Sequence, residues 1–88
     1  MANYKIFLKP SAVKELGKIS GKTLQKIVEK IENLATNPRP RGYEKLSNEK
    51  SYRIRQGNYR ILYTIEDDRL IVMVIKIGHR GDVYQRLK

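Results

Sequence analysis

The sequence predicts an α+β fold: an N-terminal strand and an αα-hairpin packed on one face of a mainly antiparallel sheet. Three observations carry that expectation. Between Pro10 and Leu34, apolar residues recur twice at helical spacing. From Tyr52 to Tyr63, apolar and basic residues alternate on either side of Gly57-Asn58, the pattern of a β-hairpin. Leu70 to Ile75 is an unbroken apolar run. Helices first and strands afterwards favour helices gathered on one side of a sheet. At 88 residues the chain suits one domain, 1–88, with a modest core.

Each element has a local reason. Tyr4 to Leu8 alternates and reads as a first strand. Pro10 suits the first turn of a helix, where its missing N–H costs nothing. Ala12, Val13, Leu16 and Ile19 then form an apolar stripe; Gly17 weakens this helix, and Ser20-Gly21 is expected to end it. A second helix carries Leu24, Ile27, Val28, Ile31 and Leu34 on one side, with Lys22, Lys26, Glu29, Lys30 and Glu32 on the other. Asn37-Pro38-Arg39-Pro40-Arg41-Gly42 stops it as a stiff basic loop. Residues 43–50 are mixed and suggest no element. After the hairpin, Asp67-Asp68 marks a turn, and the run from Leu70 predicts a strand covered on both faces. Asp82 to Lys88 reads as a short closing segment.

The hairpin carries an electrostatic conflict. With Gly57-Asn58 as the loop, Gln56 opposes Tyr59, Arg55 opposes Arg60 and Ile54 opposes Ile61. Directly opposed residues share a sheet face. One face therefore gathers Arg53, Arg55 and Arg60; the other gathers Tyr52, Ile54, Ile61 and Tyr63. Like charges facing each other across strands are destabilising, and an anion between them removes the conflict. A phosphate is the natural candidate.

Composition narrows the classes of function. Nineteen Lys and Arg against nine Asp and Glu give a net charge of +10, which draws polyanions in a salt-dependent way. Nucleic acid, a ribosome or an acidic protein is the expected partner. Lys5, Lys9, Lys14, Lys18, Lys22, Lys26, Lys30, Arg39, Arg41 and Lys45 would extend a basic surface suited to ribosomal RNA. There is no cysteine, so neither a disulfide framework nor a thiolate zinc site can form, and one histidine argues against a catalytic metal. No cofactor is expected. No apolar run approaches the ~20 residues of a membrane span, and the first residues lack a signal-peptide core. A cytoplasmic protein without a membrane partner is expected.

The ordered segments Leu34-Ala35-Thr36-Asn37-Pro38-Arg39-Pro40, Tyr52-Arg53-Ile54-Arg55, Gly57-Asn58-Tyr59-Arg60-Ile61-Leu62-Tyr63, Ile77-Gly78-His79-Arg80 and Asp82-Val83-Tyr84 span most of the chain. In that order and spacing the chain resembles the RelE family of type II toxins, within the RelE/ParE superfamily. The resemblance implies a RelE-like fold and a ribosome-dependent, metal-independent mRNA endonuclease. Such toxins cut the A-site codon by 2′-hydroxyl attack on the neighbouring phosphate, leaving a cyclic phosphate and a 5′-hydroxyl. It also implies a cognate acidic, RelB-like antitoxin. By motif position, it puts phosphate-binding residues at Arg53 and Arg55, and catalytic residues at Arg60, Arg80 and Tyr84.

The chemistry of the side chains fits those places. A guanidinium fork matches two non-bridging phosphate oxygens, so Arg60 and Arg80 are candidates for transition-state stabilisation. Better-known family members carry lysines where this chain has Arg53 and Arg55. A lysine can give up its proton; an arginine cannot, so the general base must lie elsewhere. His79, whose ordinary pKa of ~6.5 lies near neutrality, is the candidate acid or base. Tyr84 could stack on a base or protonate the leaving oxygen. Tyr52, Tyr59 and Tyr63 are expected to be structural. Two other functions fit this chain: a ParE-like gyrase inhibitor, and a non-catalytic basic RNA-binding protein.

Overall fold

The computed structural model describes residues 3–46 and 50–79. The element order is β1 (Lys5–Leu8), α1 (Pro10–Leu16), α2 (Gly21–Asn33), β2 (Glu44–Lys45), β3 (Ser51–Gln56), β4 (Tyr59–Glu66) and β5 (Ile71–His79). The five strands form one sheet in the order β1-β5-β4-β3-β2. The expected α+β architecture is present, with two additions. β1 lies parallel to β5, from Lys5 opposite Ile71 to Leu8 opposite Val74, so the first strand borders the last. The stretch without a sequence signal holds β2, which pairs Glu44 with Arg53 and Lys45 with Tyr52.

The helices cover one face of the sheet. Ala12, Ile19, Ile27, Ile31 and Leu34 meet Ile54, Ile61, Tyr63, Val72, Val74 and Ile77 in one buried cluster. The second helix stripe is confirmed. The first is narrower than expected, because Val13 points to solvent, 55% exposed. α1 also stops at Leu16, with Gly17 as its C-cap, short of the expected Ser20-Gly21. Gly17 is the weak helix former of that stretch.

Hairpin β3–β4 has the expected register: Ile54 opposite Ile61, Arg55 opposite Arg60 and Gln56 opposite Tyr59. Gly57 sits at φ 60°, a left-handed value at the first loop position that matches a type II′ turn. β5 departs from the expected doubly covered run: Val72 and Val74 are buried, while Ile71, Met73 and Ile75 are half-exposed. A one-residue bulge interrupts its pairing with β4. Leu62 opposes Lys76, whereas Tyr63 opposes Val74, leaving Ile75 as the extra residue. The Ser11 hydroxyl donates to the Ile75 carbonyl at 2.9 Å, and the Lys9 amide donates to the Val74 carbonyl at 2.9 Å. The start of α1 is thereby fastened to the bulge.

A polar clamp ties the loop after α2 to the β4–β5 turn. Arg39 donates to both Asp67 carboxylate oxygens, at 3.2 and 2.9 Å, and the Tyr4 hydroxyl donates to Oδ1 at 2.7 Å. The Arg39 guanidinium also lies 5.4 Å from the centre of the Tyr52 ring, which stacks on Tyr63 at 5.8 Å. Tyr63 is fully buried and donates its hydroxyl to the Pro38 carbonyl at 2.7 Å. Tyr52 and Tyr63 are thus structural, as their sequence context suggests.

Two stability predictions follow. Hydrogen bonds from Arg39 and Tyr4 hold the Asp67 carboxyl at about 2, below its ordinary 3.8. With the folded value below the unfolded one, this stabilisation is complete above about pH 4 and is lost as pH falls through about 2. Asp67→Asn should therefore melt lower than wild type at pH 7, and thermal melts should show the gap closing between about pH 4 and 2. Tyr63→Phe leaves the Pro38 carbonyl unmatched; urea titration should show a loss of about 1–3 kcal/mol.

Candidate functional site: an arginine face on the sheet

Strand alternation sorts the candidate residues. β4 turns Tyr59, Ile61, Tyr63 and Ile65 toward the helices, and Arg60, Leu62 and Thr64 to the other side. Paired positions in β3 place Arg53 and Arg55 with Arg60, and β2 adds Glu44 opposite Arg53. Lys76 and Gly78 of β5 belong to the same face, with Gly78 opposite Arg60. A glycine there puts no side chain beside the guanidinium.

The three arginines differ in burial. Arg60 is only 3% exposed. The Arg53 side chain is 12% exposed and the Arg55 side chain 57%. The face is therefore not open throughout: its centre at Arg60 and Leu62 is buried.

An internal anion lies beside these charges. Glu44 accepts from Arg53 Nε at 3.2 Å and from Arg53 Nη2 at 3.0 Å, with Arg55 Nη2 3.7 Å away. The Arg53 hydrogen bond holds the Glu44 carboxyl below its ordinary value, and the charges of Arg53, Arg55 and Arg60 act in the same direction. The carboxylate occupies a position where a phosphate would meet the same guanidinium groups. Glu44 was missed in the sequence because residues 43–50 carry no periodic signal. Its opposition to Arg53 appears only once β2 is paired.

His79 does not join the arginines. Its β5 position pairs with Tyr59, on the helix side, and the two rings meet edge to face at 5.4 Å. The bulge at Ile75 explains the placement. Uninterrupted alternation from Val74 would turn His79 toward the arginines; the extra residue reverses the parity and turns it toward the helices. Arg80 and Tyr84 lie outside the described residues.

The fold and this face can be set beside known proteins. Residues 6–84 match the family model for the ParE toxin of the type II toxin–antitoxin system, parDE. The putative toxin RelE1 of Methanocaldococcus jannaschii is 33% identical over 79 residues, covering 83% of this chain and 86% of that one. The chain belongs to the RelE/ParE superfamily of type II toxins. Toxin RelG of Mycobacterium tuberculosis matches a shorter stretch, 39% identical over 36 residues, with 41% of each chain covered. Among solved structures, the toxin–antitoxin complex RelBE2 of Mycobacterium tuberculosis has a chain similar at TM-score 0.80 and 29% identity, covering 93% of this chain and 97% of that one. The RelE-family resemblance read from the sequence stands on these matches, and so does the RelE-like fold. This chain is a type II toxin. Among the described residues, no helix is long and apolar enough to cross a membrane.

Glu44 competes with any anion for Arg53 and Arg55. Glu44→Gln should therefore bind a short oligoribonucleotide about 3- to 10-fold more tightly, measured by fluorescence anisotropy, an effect of about 1 kcal/mol for a partly exposed ion pair.

Proposed function

We propose that this toxin is a ribosome-dependent mRNA endonuclease that cuts A-site codons in the cytoplasm and is neutralised by an acidic, RelB-like antitoxin. The observation that carries the reading is the opposition of Arg55 and Arg60, with Arg53 beside them, on a face not covered by the helices. Exposed Arg55 and partly buried Arg53 can meet a backbone phosphate, and buried Arg60 beside them adds charge that offsets what gathers on its oxygens during 2′-hydroxyl attack. RelE toxins solved with antitoxins, such as the RelBE2 complex, support the antitoxin partner. So does the +10 charge, which suits an acidic protein.

In this mechanism Arg53 and Arg55 position the phosphate, and Arg60 stabilises the pentacoordinate state. None of them can serve as base. Among the described residues beside these arginines, Glu44 is the side chain able to take a proton at neutral pH. In the free protein its grip on Arg53 lowers its basicity. A phosphate that draws the guanidinium away relieves that grip, so substrate binding itself strengthens the base. His79, on the other side of the sheet, takes no part. Arg80 and Tyr84 keep the roles that the family resemblance implies: charge stabilisation, and stacking or protonation of the leaving 5′-oxygen.

The ParE description of the matching family model supports a second reading, inhibition of DNA gyrase by binding. That reading gives the clustered arginines no task.

A translation extract separates the two. Primer extension should show ribosome-bound mRNA cut at codon-spaced positions with cyclic-phosphate ends; intact mRNA with impaired supercoiling would point to gyrase. Arg60→Lys, chosen to keep a buried charge, should lower cleavage about 10²- to 10³-fold, the scale of a lost oxyanion donor. Glu44→Gln should bind RNA more tightly yet cleave about 10²- to 10⁴-fold more slowly. Faster cleavage by that variant would make Glu44 a competitor only.

A further inference from the structure

The arginine face accounts for one phosphate and its neighbours, yet the basic surface continues past it. Lys22, Lys26 and Lys30 recur every four residues on α2, so they form one row rising about 6 Å per step. The row lies alongside the outer edge of β3. β2 pairs only with Tyr52 and Arg53, so among the described residues no strand borders Ile54, Arg55 and Gln56 on that side.

Two clefts sit at the ends of this row. One, of ≈ 310 Å³, is lined by Lys30, Arg41, Glu44 and Arg55, and so opens onto the arginine face. The other, of ≈ 330 Å³, lies between the first turns of α2 and the β3–β4 turn. Lys22 and Lys26 border it, and Tyr59 and His79 supply two rings. That volume is at the lower end of small-molecule sites, the scale of one nucleotide. Cations beside exposed aromatic rings are the usual means of holding a single strand without sequence preference. His79, which the arginine face does not use, is exposed here.

We propose that this strip is a single-stranded RNA track. It runs from Arg55 past Lys30, Lys26 and Lys22, and ends with a nucleotide seated against Tyr59 and His79. It rests on the reading that the arginine face binds RNA, and extends that reading to the flanking nucleotides. The track explains why a protein with a one-phosphate site carries an aligned row of lysines on the helix nearest the β3 edge. The rings take a base and the lysines take phosphates, so the substrate class is an unpaired strand several nucleotides longer than the cleaved step.

The test uses the full chain and fluorescein-labelled oligouridylates of three and nine nucleotides, followed by anisotropy between 50 and 200 mM KCl. Wild type should bind the nonamer more tightly than the trimer. Lys22→Gln with Lys26→Gln should weaken the nonamer about tenfold and lower its log–log salt slope by about 1.4, the value for two lost single-strand phosphate contacts. Trimer binding should not change. Both lysines are exposed, so the fold is expected to survive. Lys9→Gln with Lys14→Gln, on and before α1, is the control and should have less effect. Equal losses in the two pairs would reduce the row to diffuse attraction and overturn the track, as would a nonamer indifferent to Lys22 and Lys26. Arg53→Gln keeps the two readings apart. If it weakens the trimer while the lysine pair leaves the nonamer unchanged, only the track falls. If the trimer ignores Arg53, the arginine-face reading falls and the track with it.

Discussion

The register of β4 is the constraint from which the rest follows. β4 is paired on both sides, with β3 and with β5, and it carries the fully buried Ile61 and Tyr63. A one-residue slip would turn those side chains to the far face and bring Arg60 into the core. Burying each large apolar side chain contributes about 1.5–3 kcal/mol. Two arginines in opposition are destabilising, but they are one pair set against several buried apolar side chains. Burial wins by a wide margin, so the hydrophobic pattern forces Arg55 against Arg60. The arginine face is thus a consequence of the core packed on the other side of the sheet.

Glu44 sets a carboxylate beside that conflict. Its carboxylate meets Arg53 at 3.0 Å from the end of a two-residue strand, and its side chain remains 42% exposed. With the carboxylate this exposed, solvent screens the ion pair and keeps its contribution to about 1 kcal/mol. Bidentate binding of a phosphate by two guanidinium groups is stronger than a single exposed pair. Glu44 thus steadies Arg53 and lies within ion-pair distance of Arg55.

Legibility in the sequence tracked the range of the interaction that decides each feature. The β3–β4 register was readable because Gly57-Asn58 and the Ile54/Ile61 alternation are local, and with it the shared face of Arg53, Arg55 and Arg60. The α2 stripe was readable for the same reason. The bulge was not: Val74 and Ile75 are both apolar, and nothing local says which is the extra residue. Ser11, 64 positions away, donates to the Ile75 carbonyl. His79 changed sides as a result. The parallel pairing of β1 with β5, the Arg39–Asp67 clamp and the Glu44–Arg53 pair are likewise contacts between segments whose local patterns do not name their partners.

The brevity of β2 links the two sides of the molecule. Had that strand continued along β3, its backbone would have paired with the edge at Ile54 to Gln56. The arginine face and the helix-side clefts would then have been separated by a further strand. Because β2 pairs at Glu44 and Lys45 only, it supplies one carboxylate to Arg53 and leaves the remaining edge beside Lys26 and Lys30 unbordered among the described residues. Arg55 sits at that junction, exposed, and lines with Glu44 the cleft that Lys30 and Arg41 border. On the proposed track, a negatively charged strand arriving at Arg55 meets Arg53 on the sheet face and Lys30 and Arg41 in the cleft. The same two-residue strand supplies the carboxylate partner of Arg53 and, in the proposed track, leaves open the edge along which a longer anion would lie.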